Sequence, residues 1–94
     1  RSNNVGLINL VVLKKSSEVG QVEPTQASVS LSAANLTGQL KSVDMREIEE
    51  RASIYYIGEV NIDDKETINF DFDIFPEGGD RTLLVRFSHQ FYTR

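Results

Sequence analysis

Three segments in the second half of the chain alternate apolar and polar residues with a period of two. They are Ile54-Tyr56-Gly58-Val60-Ile62, Ile68-Phe70-Phe72-Ile74 and Leu83-Val85-Phe87-His89-Phe91. A period of two sends successive side chains to opposite faces, so each segment reads as a β-strand with one face turned to a core. Turn-forming clusters at Asp63–Glu66 and Pro76–Asp80 separate them.

The first half carries the same signal with more interruption. Val5–Lys14 is apolar on both faces, with Ile8, Leu10 and Val12 on one and Leu7, Val11 and Leu13 on the other. Such a pattern predicts a strand covered on both sides. Ser16–Gln26, with Gly20 and Pro24, reads as a loop. Ala27, Val29, Leu31 and Ala33 then alternate with three serines as a half-buried strand, and Asn35–Gly38 forms the turn that follows. Lys41–Ala52 is open to two readings. Its helix formers favour a short helix, whereas Val43 and Met45 alternate and a β-bulge near Arg46–Glu47 would bring Ile48 back into phase. The alternation favours strand.

Six strands at roughly 8–12-residue spacing predict an all-β antiparallel sandwich or barrel. At 94 residues and 10.6 kDa the chain makes a single domain, residues 1–94. The predicted core is Leu10, Val12, Val29, Leu31, Val60, Phe70, Phe72, Val85 and Phe87. Two registers follow. A three-residue hairpin loop at Asp64-Lys65-Glu66 would set Gly58 opposite Phe72 and Glu59 opposite Asp71, with Asp73 two residues on. Pairing Phe75 with Thr82 across the next turn places Arg86 opposite Asp71, where it neutralises the carboxylates.

Composition removes several function classes. The chain has no Cys and one His, which excludes disulfides, thiol catalysis, Cys-ligated zinc and His-cluster metal sites. No apolar run approaches the ~20 residues of a helical membrane span. The net charge of −4 is unevenly spread: Asp44–Asp80 holds twelve acids and three bases, the remainder two acids and seven bases. The bases are scattered and the aromatics occupy strand positions, so the footprint of nucleic-acid binding is missing.

Few residues invite chemistry. Glu59, Asp71 and Asp73 form a potential paired-carboxylate or Ca²⁺ site, but on a flat sheet face they read as a solvated surface with Arg86 as counter-charge. The acidic turn at Asp63–Glu66 lacks the spaced ligands and glycine of a calcium loop. His89, in the apolar phase between Phe87 and Phe91, reads as a neutral, hydrogen-bonded residue at the rim of the core rather than a ligand or a triad member. Gly78-Gly79 is a turn without a phosphate-loop context. Asn35-Leu36-Thr37 is a glycosylation sequon short enough to arise by chance. No cofactor or metal is expected.

The run Asn-Leu-Thr-Gly-Gln-Leu (Asn35–Leu40), Arg-Glu-Ile (Arg46–Ile48), Ile-Tyr-Tyr-Ile (Ile54–Ile57), Phe-Pro-Glu-Gly-Gly (Phe75–Gly79) and Phe-Ser-His-Gln-Phe-Tyr-Thr (Phe87–Thr93) resembles the domain-of-unknown-function family numbered 4426. The resemblance spans most of the chain from about Asn4. It implies a small secreted, periplasmic protein of a Gram-negative bacterium with an immunoglobulin-like sandwich of about six to seven strands. It carries no established activity or ligand. Members of that family have a signal peptide and a further segment before the position matching Arg1, so an N-terminal strand is expected to be missing here.

Two function classes follow. One is a non-catalytic interaction module that offers a sheet edge, or an outer-face patch of Tyr55, Ile57 and Phe75, to an unidentified protein partner. Val5–Leu13 is the leading candidate edge, with pairing between two copies of the chain as one use of it. The other is a small hydrolase or metal-binding domain using Glu59, Asp71, Asp73 or His89. Clustering of those four in one concavity would favour the second class.

Overall fold

A computed structural model describes residues 4–93, and among them every regular element is a β-strand. Nine strands form three antiparallel sheets, more than the six expected because two of the predicted ones divide and one short strand forms within the first loop. In chain order they are β1 (Val5–Leu10), β2 (Leu13–Lys15), β3 (Val22–Pro24), β4 (Ala27–Asn35), β5 (Leu40–Lys41), β6 (Arg46–Glu50), β7 (Ser53–Asn61), β8 (Glu66–Pro76) and β9 (Leu83–Phe91). One sheet has the order β1-β7-β6, a second β5-β4-β8-β9, and β2 pairs only with β3.

The two larger sheets bury their inner faces in one cluster. Ile8, Tyr56 and Val60 come from the β7 sheet and Ala33, Ile68, Phe70, Phe72 and Ile74 from the β8 sheet, with Val12 and Ile62 joining from the connections. β8 lies at the centre, and its four inward residues are 0–5% exposed. These positions are the ones marked by the period-two pattern, so alternation became burial wherever a second layer lies above the strand.

Four sequence-based expectations are corrected. β7 and β8 are not a hairpin: β7 pairs with β1 and β6, β8 with β4 and β9. Asp63–Glu66 is therefore a corner that carries the chain from one sheet to the other. Gly58 consequently does not face Phe72; it pairs with Ile8. A Cβ built on Gly58 would meet Met45 Sδ at 2.6 Å, Val43 Cγ1 at 3.0 Å and the Asp44 carbonyl at 3.2 Å, so glycine is what lets the Val43–Met45 segment cross over β7.

That crossing explains the second difference. Lys41–Ala52 is no helix, and no single bulged strand either. It splits into β5, in one sheet, and β6, in the other, with Val43 and Met45 packed on the core between them. Third, the strand expected over Val5–Lys14 ends at Leu10 and is covered on one face only. Ile8 is buried and Leu7, on the other face, is 65% exposed. Fourth, Val85 and Phe87 lie outside the core at 42% and 49% exposure. The register of the β8–β9 hairpin is as expected, with Asp71 opposite Arg86.

The molecule is extended, 48 × 27 × 21 Å, with a radius of gyration of 15.1 Å. A compact chain of this length would have about 12 Å. Its accessible surface of 6945 Å² also exceeds the roughly 5,500 Å² of a well-covered domain of this mass. Part of the core is open.

Candidate functional site

The two sheets do not match in width: the β8 sheet has four strands and the β7 sheet three. β1 ends the smaller sheet, so the inner face of β9, at the end of the larger one, projects past its cover. A groove of about 410 Å³ results, walled by Leu7–Leu10 of β1 on one side and by Val85, Phe87, His89 and Phe91 of β9 on the other, with Phe70 and Phe72 at its base. Both walls are sheet edges among the described residues, and an edge strand presents unpaired N–H and C=O groups.

An aromatic row lines the groove. Phe87 stacks on Phe70 at 5.8 Å between ring centroids and lies nearly parallel to His89 at 6.2 Å, while His89 meets Phe91 edge-on at 4.6 Å. His89 is thus an exposed member of an aromatic wall rather than a residue at the rim of the core. Phe91 closes one end: a Cβ on Gly6 would lie 2.5 Å from its ring.

Two polar bridges that sequence reasoning did not find tie the two larger sheets together away from the groove. At one, the Ala27 N–H donates to Tyr56 Oη at 2.7 Å. Tyr56 donates in turn to Glu47 Oε1 at 3.0 Å, and Gln26 Nε2 donates to Glu47 Oε2 at 2.9 Å. Burial raises the Tyr56 phenol above its ordinary 10.0; the Ala27 contact opposes this and the Glu47 carboxylate adds to it. The hydroxyl therefore stays protonated and couples β4 to β6 and β7.

At the other bridge, Glu66 accepts from Asn35 Nδ2 at 2.9 Å, Lys41 Nζ at 3.0 Å and the Asp63 N–H at 2.9 Å. Lys41 also donates to the Asn61 carbonyl. The Lys41 and Glu66 side chains are only 12% and 10% exposed. Burial pushes the Glu66 carboxyl up, but the Asn35 amide, the Asp63 N–H and the Lys41 ammonium together outweigh it and hold it below its ordinary 4.5. This knot pins the sheet-to-sheet corner to the β4–β5 turn. Asn35 of the sequon belongs to it, its Oδ1 accepting from the N–H groups of Thr37 and Gln39, so the residue has a structural task. The only sequence signal for either bridge is a polar residue at a strand end, which many solvated positions share.

The candidate residues named from sequence are scattered. Glu59 lies on β7 opposite Leu7, on the outer face of the β7 sheet. Asp71 and Asp73 lie on the outer face of the β8 sheet, opposite Ser32 and Ser30. The three carboxylates therefore point to opposite sides of the molecule, and the predicted Glu59–Asp71 apposition does not form. Asp71 accepts from Arg86 Nε at 2.8 Å, as the register requires. Tyr55 and Ile57 share the outer face of the β7 sheet with Ile48, whereas Phe75 sits opposite Ser28 on the other sheet, so the three-residue patch is divided. Among the described residues no three metal-ligating side chains converge.

A family model described as a domain of unknown function, DUF4426, matches residues 1–94. The crystal structure of a DUF4426 family protein from Pseudomonas aeruginosa PAO1 is similar at 28% identity, covering 98% of this chain and 77% of that one with a TM-score of 0.77. A search of curated proteins finds no match.

Proposed function

We propose, for a chain that belongs to the DUF4426 family of unknown function, a non-catalytic role as an interaction module that captures an extended segment of another protein in the groove between β1 and β9. One observation carries the reading. The inward residues of β9 alternate like those of β8, yet Val85 and Phe87 stay 42% and 49% exposed beside an edge that is unpaired among the described residues. An apolar sheet face that ends against a free edge is the geometry of strand addition, in which backbone hydrogen bonds supply affinity and alternate side chains fill the pocket. The shared core is consistent with the immunoglobulin-like sandwich that the family resemblance implies, and the same resemblance supports a periplasmic location. The separation of Glu59 from Asp71 and Asp73, and of all three from His89, leaves the hydrolase and metal-binding alternative without an assembled site.

The test is selection of extended peptides from a displayed random library on the whole chain, followed by the same binding measurement on Phe87→Asp. Phe87 is half exposed, so the variant should fold. Enriched peptides that lose binding to Phe87→Asp support the reading. Enrichment insensitive to Phe87→Asp, or confined to the Tyr55–Ile57 face, would overturn it.

A further inference from the structure

Beyond the capture of a segment, we infer that β9 pairs antiparallel with β9 of a second copy of this chain. The two-fold axis passes through Phe87, and the two grooves open into one trough. Capture leaves the edge of β9 free for this. A segment lying over Val85 and Phe87 stands in the layer of the β7 sheet and pairs with β1. The backbone groups along the far side of β9 point outward in the plane of the larger sheet, where only a strand beside β9 can meet them.

Of the sheet edges among the described residues, β9 is the longest and the least guarded. β5 has two residues and β2 and β3 three each, while β6 carries Glu47, Glu49 and Glu50. Shortness and like charge both discourage pairing between copies. β9 runs for nine residues without Pro or Gly. Its one formal charge, Arg86, faces away from the groove and is bonded to Asp71. β1 is uncharged as well, but its edge is recessed because β9 projects past it. A two-fold axis pairing β1 with a second β1 would bring the two projecting β9 strands into collision.

The residues of β9 select the register. A two-fold axis perpendicular to the sheet keeps every residue on its own face, so one residue must lie on the axis opposite itself. Phe87 is the middle of Leu83–Phe91, and only an axis there pairs all nine residues. On the groove face it sets Leu83 opposite Phe91, Val85 opposite His89 and Phe87 opposite Phe87. That row consists throughout of the aliphatic and aromatic pairs that stabilise neighbouring strands. On the outer face Leu84 meets Gln90, and Arg86 meets Ser88. An axis one residue earlier would instead set the two Arg86 guanidinium groups against each other. The joined floor leaves both β1 edges open, so pairing and capture are compatible.

The experiment uses the whole chain. Light scattering should show a mass that rises from one chain to two with concentration. The chain contains no cysteine, so a single introduced thiol reports the register without background. Opposed residues of an antiparallel pair have Cα atoms about 4.5–5.5 Å apart, within reach of a disulfide. Phe87→Cys alone should therefore cross-link under mild oxidation. Val85→Cys alone and His89→Cys alone should not, because each thiol lies roughly 13 Å along the strand from its own copy. An equal mixture of those two variants should. Ser88 is exposed, so Ser88→Lys and Ser88→Glu should both fold. The first sets an ammonium against Arg86 of the second copy, twice per dimer, and should raise the dissociation constant several-fold; the second should lower it. A mass of one chain at every concentration up to the millimolar range would overturn the proposal. Equal cross-linking at all three β9 positions would do the same, as would stronger cross-linking by Leu7→Cys, which would move the interface to β1. Ser88→Lys and Ser88→Glu acting alike would overturn the register. Capture of peptides at β1 is read independently of each of these results.

Discussion

β8 and β9 lie side by side in one sheet and carry almost the same pattern. Ile68, Phe70, Phe72 and Ile74 of β8 are at most 5% exposed, while Leu83, Val85 and Phe87 of β9 are 42–49% exposed. The register pairs them directly, Phe70 with Phe87 and Phe72 with Val85. Periodicity therefore tells which face of a strand is apolar, and strand order decides whether anything covers that face. In most domains the two coincide. Here, among the described residues, the last strand of the wider sheet has no counterpart above it, and an apolar row is left at the surface beside a sheet edge.

The sharpest way to break this comparison is to truncate one aromatic of the pair at a time. Phe70→Ala should cost about 3–5 kcal/mol, because a fully buried ring leaves a cavity. Phe87→Ala, half exposed, should cost about 1 kcal/mol or less, because little area leaves the core. Urea melts measure both. Equal costs would mean that β9 is covered in solution, and the groove would not exist as described.

The next effect concerns the corner where β8 begins. Glu66→Ala removes the carboxylate that satisfies Lys41, Asn35 and the Asp63 N–H, and should cost about 1–3 kcal/mol at neutral pH. The pH dependence has a definite sign. The folded-state pKa of Glu66 lies below its ordinary 4.5, so between those two values the unfolded chain binds more protons than the folded one. The stabilisation is present in full above the ordinary value and is lost as pH falls through the folded one. Glu66→Gln should flatten that acid limb. An unchanged slope of stability against pH below 4.5 would show that the knot is not formed.

How much of this was legible depends on what a sequence encodes locally. The Asp71–Arg86 register could be read because one hairpin fixes it. The β7–β8 relationship could not, since a short polar turn such as Asp63–Glu66 serves equally as a hairpin loop or as a corner between sheets. Both would keep Val60 and Phe70 facing the core. The choice rests on Gly58, which accommodates the Val43–Met45 crossing, and on the Lys41–Glu66 contact, which spans 25 positions. The groove was hidden for the same reason: nothing in the spelling of β9 distinguishes it from β8. The candidate carboxylates dispersed because their grouping depended on the hairpin that does not form.

Gly6→Ala probes the closed end of the groove against its open one. The three atoms nearest the added Cβ all belong to the Phe91 ring, a side chain able to rotate away, so the cost should be about 1 kcal/mol, at the low end of overpacking. The displaced ring should expose β9 further. Faster amide exchange along Phe87–Phe91, with the Leu83–Val85 end unchanged, is the expected signature. A cost of several kcal/mol would mean that Phe91 is as fixed as Phe70.

The smallest effect belongs to the outer faces, where the two sheets can be compared through their carboxylates. Glu59 and Asp71 lie on different sheets and face opposite sides of the molecule, so they share no partner and repel each other little. Replacing Asp71 by Asn removes an exposed pair with Arg86, whose side chain is 87% exposed, and should cost no more than about 0.5 kcal/mol. Replacing Glu59 by Gln should change stability by a similar amount or less. Because the sites are independent, the double variant should equal the sum of the singles to within about 0.5 kcal/mol. Had the two carboxylates been apposed across a hairpin, removing either would relieve repulsion, and the singles would overstate the double. A double-mutant cycle in urea therefore reads the topology directly. Coupling well above 0.5 kcal/mol would restore the hairpin and take away the sheet mismatch on which the groove depends.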